Sequence, residues 1–365
     1  MSTGDTLVLY LLVFMLCILA AVWSDRSKRP YGLIIVVLVL SAIAGFRAYE
    51  VGVDTAPYLE SIFYQFETGK TDWQMTSFAE GYGEFTRLVL HVCTNATFLL
   101  CIEALITNGL IIARLWDFRD DASLAYMVFV YVLTAYLQTL CLTCQYLAIA
   151  IVFYSSRWLE RKHPLIFLTA VIIAMQLHAS AIIGFILIGI YIILYHANTP
   201  ITLIFKYIAI PLLAIGAGIV VRRLINTYSN YLGNSSSVGF MVFIQLAVFL
   251  IFLLLSNMWQ LFEIQTSALS TAIGNSVVAQ KFVTISTALG ILISIASYIV
   301  PNAGRIALYL TLFSCVFYAM AVRVLRGSSL QVLIIRIGLS IWFVLYFIYV
   351  FVFHDTIGVM NYSFI

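Results

Sequence analysis

The chain has 365 residues, 63 % of them hydrophobic and only 10 % charged, with a mean hydropathy of +1.05 and a formal net charge of +3. Such a composition excludes a soluble globular domain, and so small and dispersed a charge excludes nucleic acid as a partner. Apolar runs of roughly 15–20 residues recur throughout, each about long enough to cross a hydrocarbon core of ~30 Å as a helix. Lipid offers the backbone no hydrogen-bond partners, so a spanning segment is a helix or part of a closed barrel. The runs lack the strict alternation of barrel strands. The expected fold is all-α: one polytopic integral membrane domain over residues 1–365, with about 12 transmembrane helices and a large outer loop after the second helix.

The first run, 6–23, is preceded by Asp5 and followed by Arg26, Lys28 and Arg29. That charge order does not fit a signal peptide, and it places the N-terminus outside and the first loop in the cytoplasm. The second run, 31–46, ends at Arg47, where an outer loop and interfacial segment, 47–95, begins. The loop is acidic (Glu50, Asp54, Glu60, Glu67, Asp72, Glu80, Glu84) and aromatic (Tyr49, Tyr58, Phe63, Tyr64, Phe66, Trp73, Phe78, Tyr82). Carboxylates for hydroxyls and flat rings for sugar faces suit carbohydrate. An interfacial aromatic belt accounts for the rings equally well. The end of the segment, "EGYGEFTRLVLHVC" (80–93), is half polar and lies in the outer interface or re-enters.

Further spans are expected at 96–114, 123–138, 142–158, 164–178, 180–196, 201–220, 239–257, 281–299, 306–323 and 333–353, with a second outer loop at 221–238. Most of the 19 Lys and Arg then fall on the cytoplasmic side, as the positive-inside rule requires, with both termini outside. The exceptions are Arg47, Lys70, Arg87, Arg222, Arg223 and Arg305. Of these, Arg47, Arg222, Arg223 and Arg305 stand at outer helix mouths, where a cation facing lipid is costly. One such arginine could snorkel. Several together suggest a polyanion, and the planar guanidinium fork suits phosphate. The six cysteines are scattered over apolar segments, and "CLTC" (141–144) reads as helix packing. No D-x-D, HExxH or clustered Cys/His pattern indicates a metal, and no P-loop or dinucleotide fingerprint indicates a nucleotide cofactor.

Several stretches resemble a known family. "FRAYEVGVDTAPYLESIF" is similar to the R-x4-G-x-D-x3-Y element of EpsG-type and Wzy-type bacterial polysaccharide polymerases, with Arg47, Gly52, Asp54 and Tyr58 on its fixed positions. "TCQYLAIAI" (143–151) resembles the family's M-R-Q-x-x-A helix start, with Gln145 kept and Cys144 in place of the arginine. "LHASAII" (177–183) resembles its F-H-x-S-A element, with His178 and Ser180 in register. "YSNYLGNSSSVGF", holding Tyr231, resembles its Tyr/Gly-rich outer loop, and "NAGRIALYL" resembles its R-I-A-x-Y-F helix, carrying Arg305 and Tyr309. The proline-tyrosine near the C-terminus of many members reads Asn361-Tyr362 here.

The resemblance implies a glycosyltransferase of the bacterial inner membrane that extends O-antigen (lipopolysaccharide) or exopolysaccharide chains at the periplasmic face. The donor would be a glycan on undecaprenyl pyrophosphate, the acceptor one lipid-linked repeat unit, and the partners membrane lipid and a chain-length regulator. No cofactor is implied. Such chemistry needs cations at the leaving pyrophosphate and a group to take the acceptor's proton. Arg47, Arg222, Arg223 and Arg305 are the pyrophosphate candidates. Tyr58, Gln145, Tyr231 and Tyr309 are further substrate contacts, and Asp54 and His178 are the catalytic candidates. The preferred assignment gives the proton to His178 and the acceptor glycan to a folded rim from Arg47 to Tyr58. Against these stand a capping role for His178 and a local Asp54–Arg47 ion pair. An O-antigen ligase shares the donor and differs in acceptor. A lipid-linked glycan flippase would put charges near the bilayer midplane, where Glu103 is the main one found.

Overall fold

The computed structural model describes residues 1–69, 80–195, 239–262, 271–297 and 303–365. These residues fold almost wholly into helices, and no strand occurs among them beyond an isolated antiparallel bridge between Arg47 and Phe364. In chain order the helices are α1 (Thr3–Ser27), α2 (Tyr31–Gly45), α3 (Thr55–Thr68), α4 (Glu80–Val92), α5 (Ala96–Asp117), α6 (Leu124–Thr134), α7 (Tyr136–Cys141) and α8 (Thr143–Ser155). They continue with α9 (Arg157–Glu160), α10 (Pro164–Leu177), α11 (Gly184–Tyr195), α12 (Gly239–Leu255), α13 (Thr271–Ala296), α14 (Ala303–Thr311), α15 (Ser314–Val324) and α16 (Ser329–Phe347).

Local chemistry sets many of these ends. Ser2 and Asp5 form a capping box at the start of α1, and Ser328 and Gln331 do the same for α16. Asn95 and Ser123 cap α5 and α6 through the backbone N–H groups of Phe98 and Tyr126. Pro164 occupies the first turn of α10, where its missing N–H costs nothing. Small residues let helices approach closely: a Cβ at Gly45 would fall 2.3 Å from the Cys101 sulfur, so α2 and α5 meet nearly backbone to backbone.

By length and composition, four described helices can cross a membrane: α1, α5, α13 and α16, the last extended by a π-helical turn at Ile348–Phe353. The pair α14–α15, bent by 45°, makes a fifth if counted as one span. The expected figure of about 12 crossings is not reached by this criterion because many apolar segments form short helices. α2 has 15 residues and α10 has 14, while the expected segments 123–138 and 142–158 each break into two. The expected span 201–220 and outer loop 221–238 lie outside the described residues. The half-polar segment forms α4, with Tyr82, Thr86 and Leu90 on its buried stripe and Leu88 and Val92 exposed.

Charged groups collect at the two ends of the molecule. At one end Arg114, Asp117, Arg157 and Glu160 form a linked cluster, with an Arg114–Asp117 contact of 3.1 Å and close Arg114–Glu160 and Arg157–Asp117 pairs. Asp25 accepts a 2.8 Å hydrogen bond from Ser123 there. At the opposite end the start of α1 meets residues 359–362: Tyr10 Oη donates to Val359 O at 2.8 Å, and Tyr362 N donates to Thr6 Oγ1 at 3.1 Å. The rim before α3 lies at this second end.

Candidate functional site

Four separate segments converge at the second end. Asp54 stands at the N-cap position of α3, but its carboxylate makes no capping hydrogen bond. It turns instead to Arg305, with Oδ2 3.3 Å from Nη2. Oδ2 is buried and has no aligned hydrogen bond, so the contact is an ion pair alone. The Arg305 side chain is 49 % exposed and that of Asp54 23 %. The half-exposed guanidinium lets solvent screen the pair toward the roughly 0.2–1 kcal/mol of a surface contact.

Arg305 lies in the first turn of α14. A cation at that position opposes the helix dipole, whose N-terminal end favours anions. The arrangement gains nothing for the helix and adds to a positive field at its mouth. Gln145, buried on α8, holds this turn by donating from Nε2 to the Arg305 carbonyl at 2.8 Å. One helical turn on, Tyr309 is buried and its hydroxyl lies 3.0 Å from Ser180 Oγ. Ser180 Oγ is in turn 2.6 Å from His178 Nδ1, and the Ser180 backbone N–H donates to the same nitrogen at 3.3 Å. Nδ1 therefore accepts, and the neutral ring carries its proton on Nε2. Asp54, Arg305, Tyr309, Ser180 and His178 are thus tied to one short helix.

Arg305 also borders a cavity of about 420 Å³ among α6, α7, α8 and α12 to α16. Its wall combines apolar side chains with Thr134, Gln138, Gln245, Ser294 and Thr356, and with the aromatic rings of Trp342 and Tyr346. Tyr146 donates to Gln138 Oε1 at 3.3 Å and steadies that amide. The break between α7 and α8 leaves the Leu140 carbonyl outside the helix pattern, and Thr55 Oγ1 donates to it at 3.1 Å. This ties the start of α3 to the cavity wall. Among the described residues no group of His, Cys, Asp and Glu is arranged to hold a metal ion.

Compared with known families, residues 31–364 match the EpsG family. The chain belongs to the EpsG family. No curated protein and no solved structure matches it. The family span takes in every one of the elements just described.

Set against the residues expected to act in this EpsG-family chain, the structure brings together Asp54, Gln145, His178, Arg305 and Tyr309. Arg47 is different. Its side chain is fully buried, bonds the Ala44 carbonyl closely, and reaches Val51 O and Thr55 Oγ1 at 3.4 Å each. In this structure the guanidinium fork clamps the rim through two backbone carbonyls and a hydroxyl, and none of it faces the cavity beside Arg305. The local Asp54–Arg47 ion pair weighed from the sequence is replaced by Asp54–Arg305. Tyr58 lies one turn into α3, its N–H bonded to Asp54 O at 3.2 Å. Arg222, Arg223 and Tyr231 lie outside the described residues. Cys144, where the resemblance leads one to expect arginine, is buried, and its thiol donates to the Leu177 carbonyl at 3.1 Å beside His178.

The sequence did not single out Gln138, Gln245, Trp342 or Tyr346. Two glutamines inside otherwise apolar helices were the available signal, since a primary amide in such a position demands a partner or a cavity. Glu103, the one mid-helix carboxylate noted, accepts a 2.6 Å hydrogen bond from Tyr82 and fastens α4 to α5.

Proposed function

We propose that this chain is a polysaccharide polymerase of the bacterial inner membrane. In this reading it transfers a growing glycan from undecaprenyl pyrophosphate to a lipid-linked repeat unit at the periplasmic face. Family membership supports the class of reaction. The observation that carries the assignment is the solvent-screened Asp54–Arg305 pair at the mouth of a cavity of about 420 Å³.

The mechanism is an exchange of partners at that pair. The pyrophosphate of the donor takes the Arg305 fork and the N-terminal end of α14, both of which favour negative charge. Asp54, released from its cation, then accepts the proton of the acceptor hydroxyl. The hydroxyl oxygen bonds to the donor's anomeric carbon, the bond from that carbon to the phosphate oxygen breaks, and undecaprenyl pyrophosphate leaves with the electron pair. Arg305 stabilises the charge that develops on the leaving group. His178, with Nδ1 engaged by Ser180, offers Nε2–H as a donor to a sugar oxygen. The proton-accepting role expected of His178 passes to Asp54 in this reading.

Purified enzyme with defined lipid-linked repeats tests it. Asp54→Asn should lower polymerisation by at least roughly 100-fold at saturating acceptor, the scale of a lost general base. A normal glycan ladder from Asp54→Asn at normal protein levels would remove Asp54 from the chemistry. The ligase alternative is separated in cells lacking the gene: single-repeat caps mark a lost polymerase, whereas polymer that accumulates without reaching the lipid A core marks a lost ligase.

A further inference from the structure

The backbone that presents Asp54 is held by a distant part of the chain. Gly52 N donates to Gly358 O at 2.8 Å, and Val53 N donates to Ile357 O at 3.0 Å. These are the backbone N–H groups of the two residues immediately before Asp54. Farther along the same contact, Ala48 N donates to Ser363 O at 2.8 Å and Ile365 N donates to Phe46 O at 3.1 Å. Residues 357–365 thus lie as a strap against residues 46–53, the part of the rim that leads into Asp54.

The strap is itself shaped by one side chain. Asp355 Oδ1 accepts from Val359 N at 2.9 Å, and Oδ2 accepts from Met360 N at 2.8 Å. This carboxylate turn, with Gly358 at φ +67°, leaves the carbonyls of Ile357 and Gly358 for the rim. A Cβ on Gly358 would sit 2.9 Å from Val53 Cγ1, so the approach is as close as the backbone allows. Tyr362 is fully buried and anchors the far end, its hydroxyl donating to Ile43 O at 2.9 Å. Thr356 and Ile357 also form part of the cavity wall beside Arg305.

We propose that the strap is a positioning device for the reacting groups: Asp355, through the turn it folds, sets where the Asp54 carboxylate stands relative to Arg305. This rests on the proposed role of Asp54 as the base. Asp355 touches no substrate in this scheme; it acts through the backbone of Ile357 and Gly358 on Val53 and Gly52. Misplacing a catalytic group by about 1 Å can cost roughly 100-fold in rate.

The test is a double-mutant cycle on the full-length enzyme with defined lipid-linked repeats. Asp355→Ala alone should lower kcat by roughly 10-fold to 100-fold, and Asp355→Asn, which keeps one acceptor oxygen, should fall between it and the parent. In the Asp54→Asn background, followed over long incubations, Asp355→Ala should cost little more, because a displaced base that is already absent cannot be lost twice. Donor affinity, read by binding of the lipid pyrophosphate, and the thermal midpoint should hold steady in Asp355→Ala, which decides the matter if Asp54→Asn turnover is too slow to time. Equal losses in both backgrounds, or a kcat loss that tracks a fall in donor affinity and thermal midpoint, would overturn the inference by reducing the strap to a fold element. A fully active Asp355→Ala beside a crippled Asp54→Asn would overturn it while leaving the base in place. A fully active Asp54→Asn would bring down the underlying reading first.

Discussion

Three of the arginines that the basic bias leaves as exceptions illustrate how differently one residue type is used. Arg47 is consumed by carbonyls, Arg87 pairs with Glu84 in the open, and Arg305 faces a cavity with only a loosely held carboxylate. Substitution should separate them. Arg305→Lys keeps the charge but loses the two-pronged geometry, and should lower polymerisation by roughly 100-fold with normal protein levels. Arg47→Ala should instead deplete folded protein. It orphans buried carbonyls, at roughly 3 kcal/mol or more in all, and the turnover of whatever folds should stay near normal. Quantitative blotting beside activity per folded molecule checks both. His178→Ala should cost about 10-fold, less than Asp54→Asn, since it removes a neutral donor and not the proton acceptor. The sequence grouped Asp54, Gln145, His178, Arg305 and Tyr309 as candidates because they lie in recognisable stretches, and the structure places them near one another. It could not show that Arg47 is buried while Arg305 stays half-exposed. That depends on whether backbone carbonyls happen to converge on the side chain, which no spacing records.

Short helices and their interruptions do most of the positioning. α14 carries Arg305 and Tyr309 four residues apart, on one face, so a single nine-residue helix links the ion pair to the Ser180–His178 chain. The hydrophobic runs announced helices here, but not their breaks. Ala135 and Leu142 interrupt the α6 to α8 stretch with no proline or glycine to mark the place. The break at Leu142 lies beside the carbonyl that Thr55 uses, so it reflects tertiary demand and not local preference. Gly52, on a fixed position of the R-x4-G-x-D-x3-Y element, is the counter-example, found at φ +89° with a would-be Cβ 2.7 Å from Leu140 O. Gly52→Ala should therefore destabilise by at least about 1–2 kcal/mol from the backbone alone. It should also move Asp54, so activity should fall further than the folded fraction does.

At the scale of the molecule, the contacts of Tyr10 and Thr6 with residues 359–362 put both ends of the chain beside the rim, as the basic bias along the sequence predicts. That bias is a sum over many loops and expects the outer side for both, whereas the number of crossings depends on helix lengths that the apolar runs do not record. Among the cysteines, Cys93 is exposed and lies between α4 and α5 at the same end as the candidate site. In intact cells an impermeant maleimide should label the wild-type protein at Cys93. A Cys93→Ser, Lys28→Cys variant should react only after the inner membrane is opened. Labelling of position 28 but not 93 in intact cells would invert the orientation.

The union of Thr6 with Tyr362 spans 356 positions of sequence. At translation rates of roughly 5–20 residues per second, the ribosome needs about 20–70 s to travel from one to the other. During that interval α1 and the Asp54 rim are already in the membrane while the strap that braces them has not been made. A chain grown only as far as residue 302 therefore has Asp54 but neither the helix that carries Arg305 nor the strap. The Asp54–Arg305 pair and its brace can form only once residues 303–365 have been made and the distant segments meet.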